Sequence, residues 1–280
     1  MNKLKTIFLM VGLTLIFIYI GEIFGGYEGM RTAFFLACAM NFYSYFFSDT
    51  IVLNHYKAKK VNERQFPVLY HKVEKISAIA NLPVPKVYII PDQVPNAFAT
   101  GRNPKHAAVA VTEGLLEMLS PEELEGVLAH EMSHVHHYDI LIGSVAAVFA
   151  GAIALICNGM RYVSIRSQNQ QKSDIAKIVA IVLMPIAATI IQMSISRTRE
   201  YAADRGAAEL THHPEYLISA LEKLENNAKN YQMQRATSQT AHMFIVSPFS
   251  SVRNAMTGLF STHPSTENRI KKLSEMIGRV

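Results

Sequence analysis

Four apolar stretches constrain this chain of 280 residues more than any other feature. A membrane-spanning helix needs about 20 apolar residues, with a range of about 17 to 25. Residues 140–160 and 178–196 carry no charge and meet this requirement, whereas 6–20 and 32–48 are at its short end. Either of the first two stretches could instead be a buried core helix, and a cleaved signal peptide is a further alternative for 6–20. We therefore expect about four transmembrane or hydrophobic helices, the first of them an uncleaved anchor.

The composition agrees with a membrane protein in a reducing compartment. Hydrophobic residues make up 50% of the chain and charged residues only 18%. Cys38 and Cys157 both lie inside apolar runs, so we expect neither a disulfide framework nor a thiolate metal site. The net charge of +5 is modest, and the positive residues cluster beside the apolar runs. This clustering favours anionic headgroups of a lipid bilayer, and not nucleic acid, as the partner.

Lysine and arginine positions predict the orientation of the first two spans. Lys3 and Lys5 precede the first span, and Lys57 and Lys59 follow the second. Because cytoplasmic loops carry an excess of these residues, both ends of this hairpin should lie in the cytoplasm. The loop between the third and fourth spans is also basic, which disagrees with a full crossing. The sequence leaves open whether residues 140–196 cross the bilayer or only dip into it.

The polar segments have helix and strand patterns of their own. Apolar residues from Leu69 to Ala80 keep helical spacing and stop before Pro83. Three strand candidates follow in "KVYII", "NAFATG" and "HAAVAVTEGLL", the last of which turns helical near Thr112. Stripes of Leu217, Leu221 and Leu224, and of Ile270, Leu273 and Ile277, predict two further helices. We expect a membrane hairpin at 1–53, a polar domain in two parts at 54–139 and 197–280, and a second hydrophobic hairpin at 140–196.

The segment "VLAHEMSHVHHYDI", residues 127–140, holds the strongest chemical motif. Upstream, residues 120–123 supply an N-cap serine, a proline at the first helical position and a glutamate at the third, so the motif lies on a helix. Residues four apart share one face of a helix, so His130 and His134 can bind the same metal ion. The alternative is that these are solvated polar residues of a helix that leads into the membrane.

Zinc chemistry suits these residue types. A catalytic zinc site takes three protein ligands and keeps a fourth position for water, and two histidines with one carboxylate form such a set. A carboxylate is available on a second helix beside a membrane span. Glu131 lies about 100° around the helix from the neighbouring histidine, so it cannot bind the same ion. It is placed instead to accept a proton from the water, whose pKa zinc lowers to about 7. His136 and His137 are expected at the surface, and Asp139 is expected as a cap or interface residue.

The motifs "HEMSH" at 130–134 and "EYAAD" at 200–204, with the apolar hairpins around them, resemble the HtpX-type membrane zinc endopeptidases, which are related to the CAAX prenyl proteases. The resemblance covers nearly the whole chain, including "NAFATG" and "HPSTENRI", but residues 228–262 match nothing we can use. It implies a mainly α membrane protein with a cytosolic α+β zincin (gluzincin-like) catalytic domain and a small β-sheet. It also implies one Zn²⁺ per subunit with Glu200 as third ligand, and Asp204 as the residue that holds a ligating histidine in place.

The resemblance further implies a multi-pass protein of the bacterial inner membrane with its active site facing the cytoplasm. It would cleave misfolded or damaged membrane proteins under stress, with unfolded polypeptides and membrane proteins as substrates and other quality-control proteases as candidate partners. The matching motif makes His263 or Arg269 the expected donor to the developing oxyanion, a role typically worth about 3 to 4 kcal/mol. The alternative is structural, with His263 capping the last helix or Arg269 pairing a nearby carboxylate.

The segment Asn96, Ala97, Phe98, Ala99 and Thr100 is expected to bind substrate as an added strand. It is short and apolar, and it lacks the lysines and prolines that usually protect an exposed sheet edge. An ordinary paired strand is the alternative.

A second function class is a catalytically inactive membrane protein that binds metal or acts as a scaffold. Glu131 argues against it, because a pure binding site does not need a carboxylate beside the ligand. A transporter has less support, since no span carries an ionisable residue that would mark a pathway.

Overall fold

The computed structural model describes residues 2–166, 196–230 and 264–280. Nearly all of the predicted fourth span, residues 231–262 of the segment that matches nothing, and His263 lie outside these ranges. The described helices are α1 (Asn2–His55), α2 (Pro67–Ile79), α3 (Glu113–Met118), α4 (Pro121–His136), α5 (Asp139–Arg166), α6 (Arg197–Thr211), α7 (Pro214–Asn230) and α8 (Thr266–Ser274). The described strands are β1 (Lys59–Lys60), β2 (Lys86–Ile90), β3 (Ala97–Gly101) and β4 (Ala107–Thr112).

Helix α1 is a hairpin of two helical halves that meet at Gly26, where φ of 56° and ψ of −146° leave the helical range. Asn41 Nδ2 donates a hydrogen bond of 2.8 Å to Thr14 Oγ1, which joins the two halves. Among the described helices, the segment Leu4–Glu22 is long and apolar enough to cross a bilayer, and Asp139–Gly151 is a shorter apolar segment. Length and composition thus support one of the predicted spans, and the others stay predictions.

The second half of α1 exposes a row of large aromatic side chains. Contiguous apolar surface of this kind is unusual on a protein that water surrounds. It is compatible with contact between this half of the hairpin and lipid. The exposed aromatic residues are Phe34, Phe35, Phe42, Tyr43, Phe46 and Phe47.

The four strands form one mixed sheet in the order β1-β2-β4-β3. β4 is parallel to β2 and antiparallel to β3, so β3 is an edge strand of this sheet. All three predicted strands are confirmed. β1 was not predicted, because its two exposed lysines show no apolar alternation, and the strand is defined only by pairing with β2.

Helix α4 lies at the centre of the polar domain and packs against α2, α6, α7 and β3. Val127, Leu128 and Met132 are completely buried on it and belong to one core with residues of the sheet and the surrounding helices. The predicted start of α4 is confirmed, since the Ser120 hydroxyl accepts from the N–H of Glu123 while the Glu123 carboxylate accepts from the N–H of Ser120.

Helices α4 and α6 approach each other closely at Gly206. A Cβ at this position would collide with the hydroxyl of Ser133, so glycine permits the contact. This approach holds α6 against α4 beside His134, the residue that follows Ser133. The predicted helices around Leu221 and Leu273 are also confirmed as α7 and α8, but Ile277 lies beyond α8 and is 53% exposed.

The C-terminal end of α1 packs directly on the sheet. Val52 and Leu53 share an apolar cluster with Ile90 and Phe98. The rings of Tyr56 and Phe98 lie 5.3 Å apart between centroids. The apolar hairpin is therefore attached to the sheet beside β3.

Candidate metal centre

Two histidines of α4 and one glutamate of α6 bring their metal-binding atoms together. Nε2 of His130 lies 3.2 Å from Nε2 of His134. Glu200 places Oε2 at 3.8 Å from Nε2 of His130 and Oε1 at 3.6 Å from Nε2 of His134. Ligands about 2.0–2.1 Å from a tetrahedral zinc ion lie roughly 3.3 Å from one another. The spacing of the three donors therefore fits a zinc ion.

Each histidine also has a carboxylate at its other ring nitrogen. Nδ1 of His130 lies 3.0 Å from Oδ1 of Asp204, and Nδ1 of His134 lies 3.0 Å from Oδ2 of Asp139. Such pairs fix the tautomer and the ring orientation of ligating histidines. Both Nε2 atoms therefore face Glu200, which is the arrangement needed if all three side chains bind one metal ion.

Asp139 was not recognised from the sequence as part of this site. It was expected as a cap or interface residue, but its buried carboxylate lies against His134. Burial opposes a charge on His134, but the hydrogen bond to Asp139 and the carboxylate of Glu200 outweigh it and raise the pKa of His134 to about 9. The available signal was the position of Asp139, five residues after the second motif histidine and first in α5.

Arg269 of α8 fixes the other carboxylate. Its Nε and Nη2 donate hydrogen bonds of 2.9 and 2.6 Å to the two carboxylate oxygens of Asp204, and the side chain is 1% exposed. Burial alone would raise the pKa of Asp204, but the charge of Arg269 outweighs it and lowers the pKa to about 2. Of the two sequence alternatives for Arg269, the structure shows the pairing with a carboxylate.

Glu131 lies at the junction of the metal centre and the sheet edge. Its Oε2 accepts a hydrogen bond of 2.8 Å from the backbone N–H of Ala99 in β3. The side chain is buried, and burial raises the pKa of Glu131, although His130, His134 and the N–H of Ala99 act in the opposite direction. A buried carboxylate with a raised pKa is suited to take up and release a proton.

The charge balance around the histidines also fits a divalent cation. Among the described residues, four buried carboxylates stand against two guanidinium groups. With all six groups ionised and both histidines neutral, as ligating histidines must be, these side chains sum to two negative charges, which a dication would offset. The six residues are Glu131, Asp139, Glu200, Asp204, Arg199 and Arg269.

Arg199 is the second residue that sequence reasoning missed. Its Nη1 lies 3.9 Å from Oδ1 of Asp139, and burial lowers its pKa while Asp139 and Glu200 act in the opposite direction. It directly precedes the motif at 200–204, and no sequence pattern marked it as part of the site. His136 and His137 are exposed at the end of α4, as expected. His263 lies outside the described residues.

The edge-strand segment is brought next to the metal centre. Asn96, Ala97, Phe98 and Thr100 are buried, and Ala99 is partly exposed beside Glu131. β4 covers one edge of this strand, and the N–H of Ala99 points away from β4 toward α4.

Comparisons with known proteins agree with this geometry. Residues 63–277 match the description "Peptidase family M48". The chain is 59% identical to a "Protease HtpX homolog" of Campylobacter hominis over 278 residues, which cover 99% of each chain. It is 52% identical to a protein of the same name from Sulfurovum, over 99% of this chain and 100% of that one.

A solved structure shows the same fold. The chain is similar to "Crystal Structure of S. mikatae Ste24p" with a TM-score of 0.53 and 16% identity, over 97% of this chain and 64% of that one. The chain therefore spans just under two thirds of that protein's length. The expected resemblance to HtpX-type endopeptidases is confirmed, and nothing in these matches favours an inactive metal-binding or scaffold protein. The chain belongs to peptidase family M48, among the HtpX proteases, and is a membrane metalloendopeptidase.

Proposed function

We propose that this metalloendopeptidase holds one zinc ion through His130, His134 and Glu200 and uses Glu131 as its general base. The observation that carries the proposal is the convergence of these three side chains, whose nearest nitrogen and oxygen atoms lie 3.2 to 3.8 Å apart, with Glu131 beside them and next to β3. When bound, zinc supplies a Lewis acid that lowers the pKa of water to about 7 and polarises a carbonyl group.

Glu131 moves the proton in this scheme. Its carboxylate takes a proton from the attacking water and delivers it to the amide nitrogen as the C–N bond breaks. Its burial favours this transfer, because the pKa of Glu131 is raised above its ordinary value. The N–H of Ala99 holds one carboxylate oxygen, which leaves the other free to face the substrate.

The remaining charged residues position the ligands. Asp204 lies 3.0 Å from Nδ1 of His130, and Asp139 is hydrogen-bonded to Nδ1 of His134. Arg269 donates two hydrogen bonds to Asp204, and the guanidinium of Arg199 lies 3.9 Å from Asp139. Groups of this kind commonly change metal affinity by about 10- to 100-fold when they are removed. We therefore assign Asp204 the role of holding His130 in position, and Asp139 the same role for His134.

β3 is the proposed binding strand for the substrate. Its edge position and its contact with Glu131 support pairing between an extended polypeptide and the side of β3 that faces away from β4. A peptide bond on that side would lie next to Glu131. The proposed residues are Asn96, Ala97, Phe98, Ala99 and Thr100.

His263 is the proposed donor to the oxyanion. Arg269 donates its hydrogen bonds to Asp204. Of the two candidates named from the sequence, His263 therefore remains. A His263→Phe variant should then lower kcat by about 10²-fold with zinc content unchanged. A lower melting temperature with kcat preserved would instead make His263 structural.

The finer localisation is also a proposal: a multi-pass protein of the bacterial inner membrane with its catalytic domain in the cytoplasm. The apolar segment Leu4–Glu22 and the exposed lysines that follow α1 support it. In a variant without native cysteines, Gly25→Cys should react with an impermeant reagent outside intact cells, and Lys59→Cys should not. Labelling of Lys59→Cys from outside would contradict this orientation.

Misfolded or damaged membrane proteins and unfolded polypeptides are the proposed substrates. The direct test is cleavage of casein by the purified protein, with metal content measured on the same sample. We expect about one zinc ion per chain, loss of cleavage with a chelator, and recovery with added zinc. Cleavage that persists in a sample stripped of metal would contradict the proposal.

A further inference from the structure

The hydroxyl group of Ser144 joins the apolar helix α5 to the edge strand β3. It donates a hydrogen bond of 2.7 Å to the carbonyl oxygen of Ile140. It lies 2.7 Å from Oγ1 of Thr100, and it accepts a hydrogen bond of 3.2 Å from the N–H of Gly101. A serine hydroxyl has one proton and two acceptor positions. Thr100 therefore donates to Ser144, and the capacity of the Ser144 hydroxyl is completely used.

These contacts are buried within apolar surroundings. Ser144 is 1% exposed and Thr100 is 0% exposed, while Val145 and Ala146 beside Ser144 are also buried. Loss of a hydroxyl here would leave a buried donor without its partner, which is costly in a nonpolar environment. The position of the last two residues of β3 is therefore tied to α5.

Ser144 and Glu131 both contact the same edge of β3, at positions two residues apart. The N–H of Ala99 donates to Glu131, and the N–H of Gly101 donates to Ser144. Residues two apart in a strand point their backbone groups to the same side. Ser144 thus holds the edge of β3 that faces away from β4, two residues from its contact with the general base.

We infer that Ser144 is a positioning residue for substrate binding, which rests on the proposed role of β3 as the binding strand. The same helix also begins with Asp139, which contacts His134. One apolar helix thereby supports a metal ligand at its first residue and the binding strand at its sixth. Removal of the Ser144 hydroxyl should misplace the strand without disturbing the ligands.

The test compares substrates of different length in the full-length protein. Ser144→Ala should raise KM for an extended peptide by about 5- to 10-fold, with kcat changed less than KM and zinc content unchanged. A blocked dipeptide amide, which is too short to pair along the strand, should be affected much less. Hydrogen exchange at the N–H of Gly101 should become faster in the variant.

Two sets of variants separate positioning from general stability. Thr100→Val removes the partner hydroxyl and should raise KM as Ser144→Ala does. Thr100→Ser keeps a hydroxyl at this position and should have the KM of the wild-type protein. Ser77→Ala is the matched control, because Ser77 is also buried and donates a hydrogen bond of 2.6 Å to the carbonyl oxygen of Val73 within α2. It should leave KM for both substrates unchanged. Thr100→Val also provides the test if Ser144→Ala does not fold.

The outcomes distinguish this inference from the proposed function. If Ser144→Ala and Thr100→Val both cleave with the KM of the wild-type protein, the positioning role is wrong and the proposed function stands. An equal rise in KM for long and short substrates would also overturn the positioning role. A wild-type protein that contains zinc but cleaves neither substrate would overturn the proposed function, and the inference with it.

Discussion

The backbone N–H of Ala99 donates a hydrogen bond of 2.8 Å to the carboxylate of Glu131, so the sheet edge and the proposed base are in direct contact. This N–H is therefore engaged with the protein and not offered to a substrate. The N–H of Gly101 on the same edge is likewise taken by Ser144, so an extended substrate would pair with other backbone groups of this edge. Besides its proposed role in binding substrate, the strand therefore holds Glu131 beside the proposed metal ligands.

Replacement of Ala99 by proline tests this second role. Proline removes the N–H, but the strand should survive because this N–H does not pair with β4. Loss of a hydrogen bond to a charged group should lower kcat by about 10- to 100-fold, in addition to any rise in KM. Kinetics on an extended peptide would show it, with Ala99→Gly as a control that keeps the N–H. A change confined to KM would contradict a role in holding Glu131.

The two carboxylates behind the histidines should behave differently when they are removed. Asp139→Ala and Asp204→Ala should each weaken zinc affinity by about 10- to 100-fold, measured by competition with a chromophoric chelator. Asp204→Ala also removes the carboxylate that pairs with the buried guanidinium of Arg269, which should lower the free energy of unfolding by about 3 to 5 kcal/mol. Unchanged zinc affinity in Asp139→Ala would show that the contact with His134 is incidental.

Gly206→Ala should separate α4 from α6 and lower stability. An added Cβ would collide with the hydroxyl of Ser133, and forced overpacking typically costs about 1 to 3 kcal/mol. Chemical denaturation would measure the loss. Gly143→Ala is the control, because a Cβ at that helical position would meet nothing within 4 Å. Equal stability of the two variants would contradict the close approach.

Glu125 should make the packing of α2 on α4 dependent on pH. It accepts hydrogen bonds of 2.7 Å from Lys72 and from Lys75. Burial alone would raise the pKa of Glu125, but the two lysines outweigh it and lower the pKa below 4.5. Because the folded-state pKa is depressed, the contribution is complete well above pH 4.5 and disappears as the pH falls through the lower folded value.

Comparison with Glu125→Gln isolates this contribution. The variant should be less stable than the wild type by about 1 kcal/mol at pH 7, a modest figure because Lys75 is largely exposed. The difference should shrink as the pH drops below 4.5. Urea unfolding at several pH values would measure it, and a difference that does not vary with pH would exclude the ion pairs as its cause.

Local sequence signals predicted most of the described fold. The spacing of Leu69 to Ala80, the capping box at Ser120 and the strand "KVYII" depend on neighbouring residues, and all three are confirmed. Ile277 was placed in the last helix because it continues an apolar stripe, but the helix ends before it. A stripe does not define a helix end, and no capping signal marked this one.

Contacts between distant segments could not be predicted in the same way. The pairing of Arg269 with Asp204 joins residues 65 positions apart, and the contact of Ala99 with Glu131 joins residues 32 positions apart. Asp139 is only five positions from His134, but its place at the start of an apolar helix suggested an interface residue. The motifs predicted the metal ligands, whereas the groups that contact these side chains depend on how the helices pack.

The most direct test of the central claim measures zinc content and peptide cleavage on the same sample of Glu131→Gln. The three proposed ligands remain in this variant, so it should bind about one zinc ion per chain and lose cleavage almost completely. Glu200→Ala should lose zinc and activity together and serves as the comparison. Cleavage by Glu131→Gln at an appreciable fraction of the wild-type rate, with zinc bound, would contradict the assignment of Glu131 as the general base.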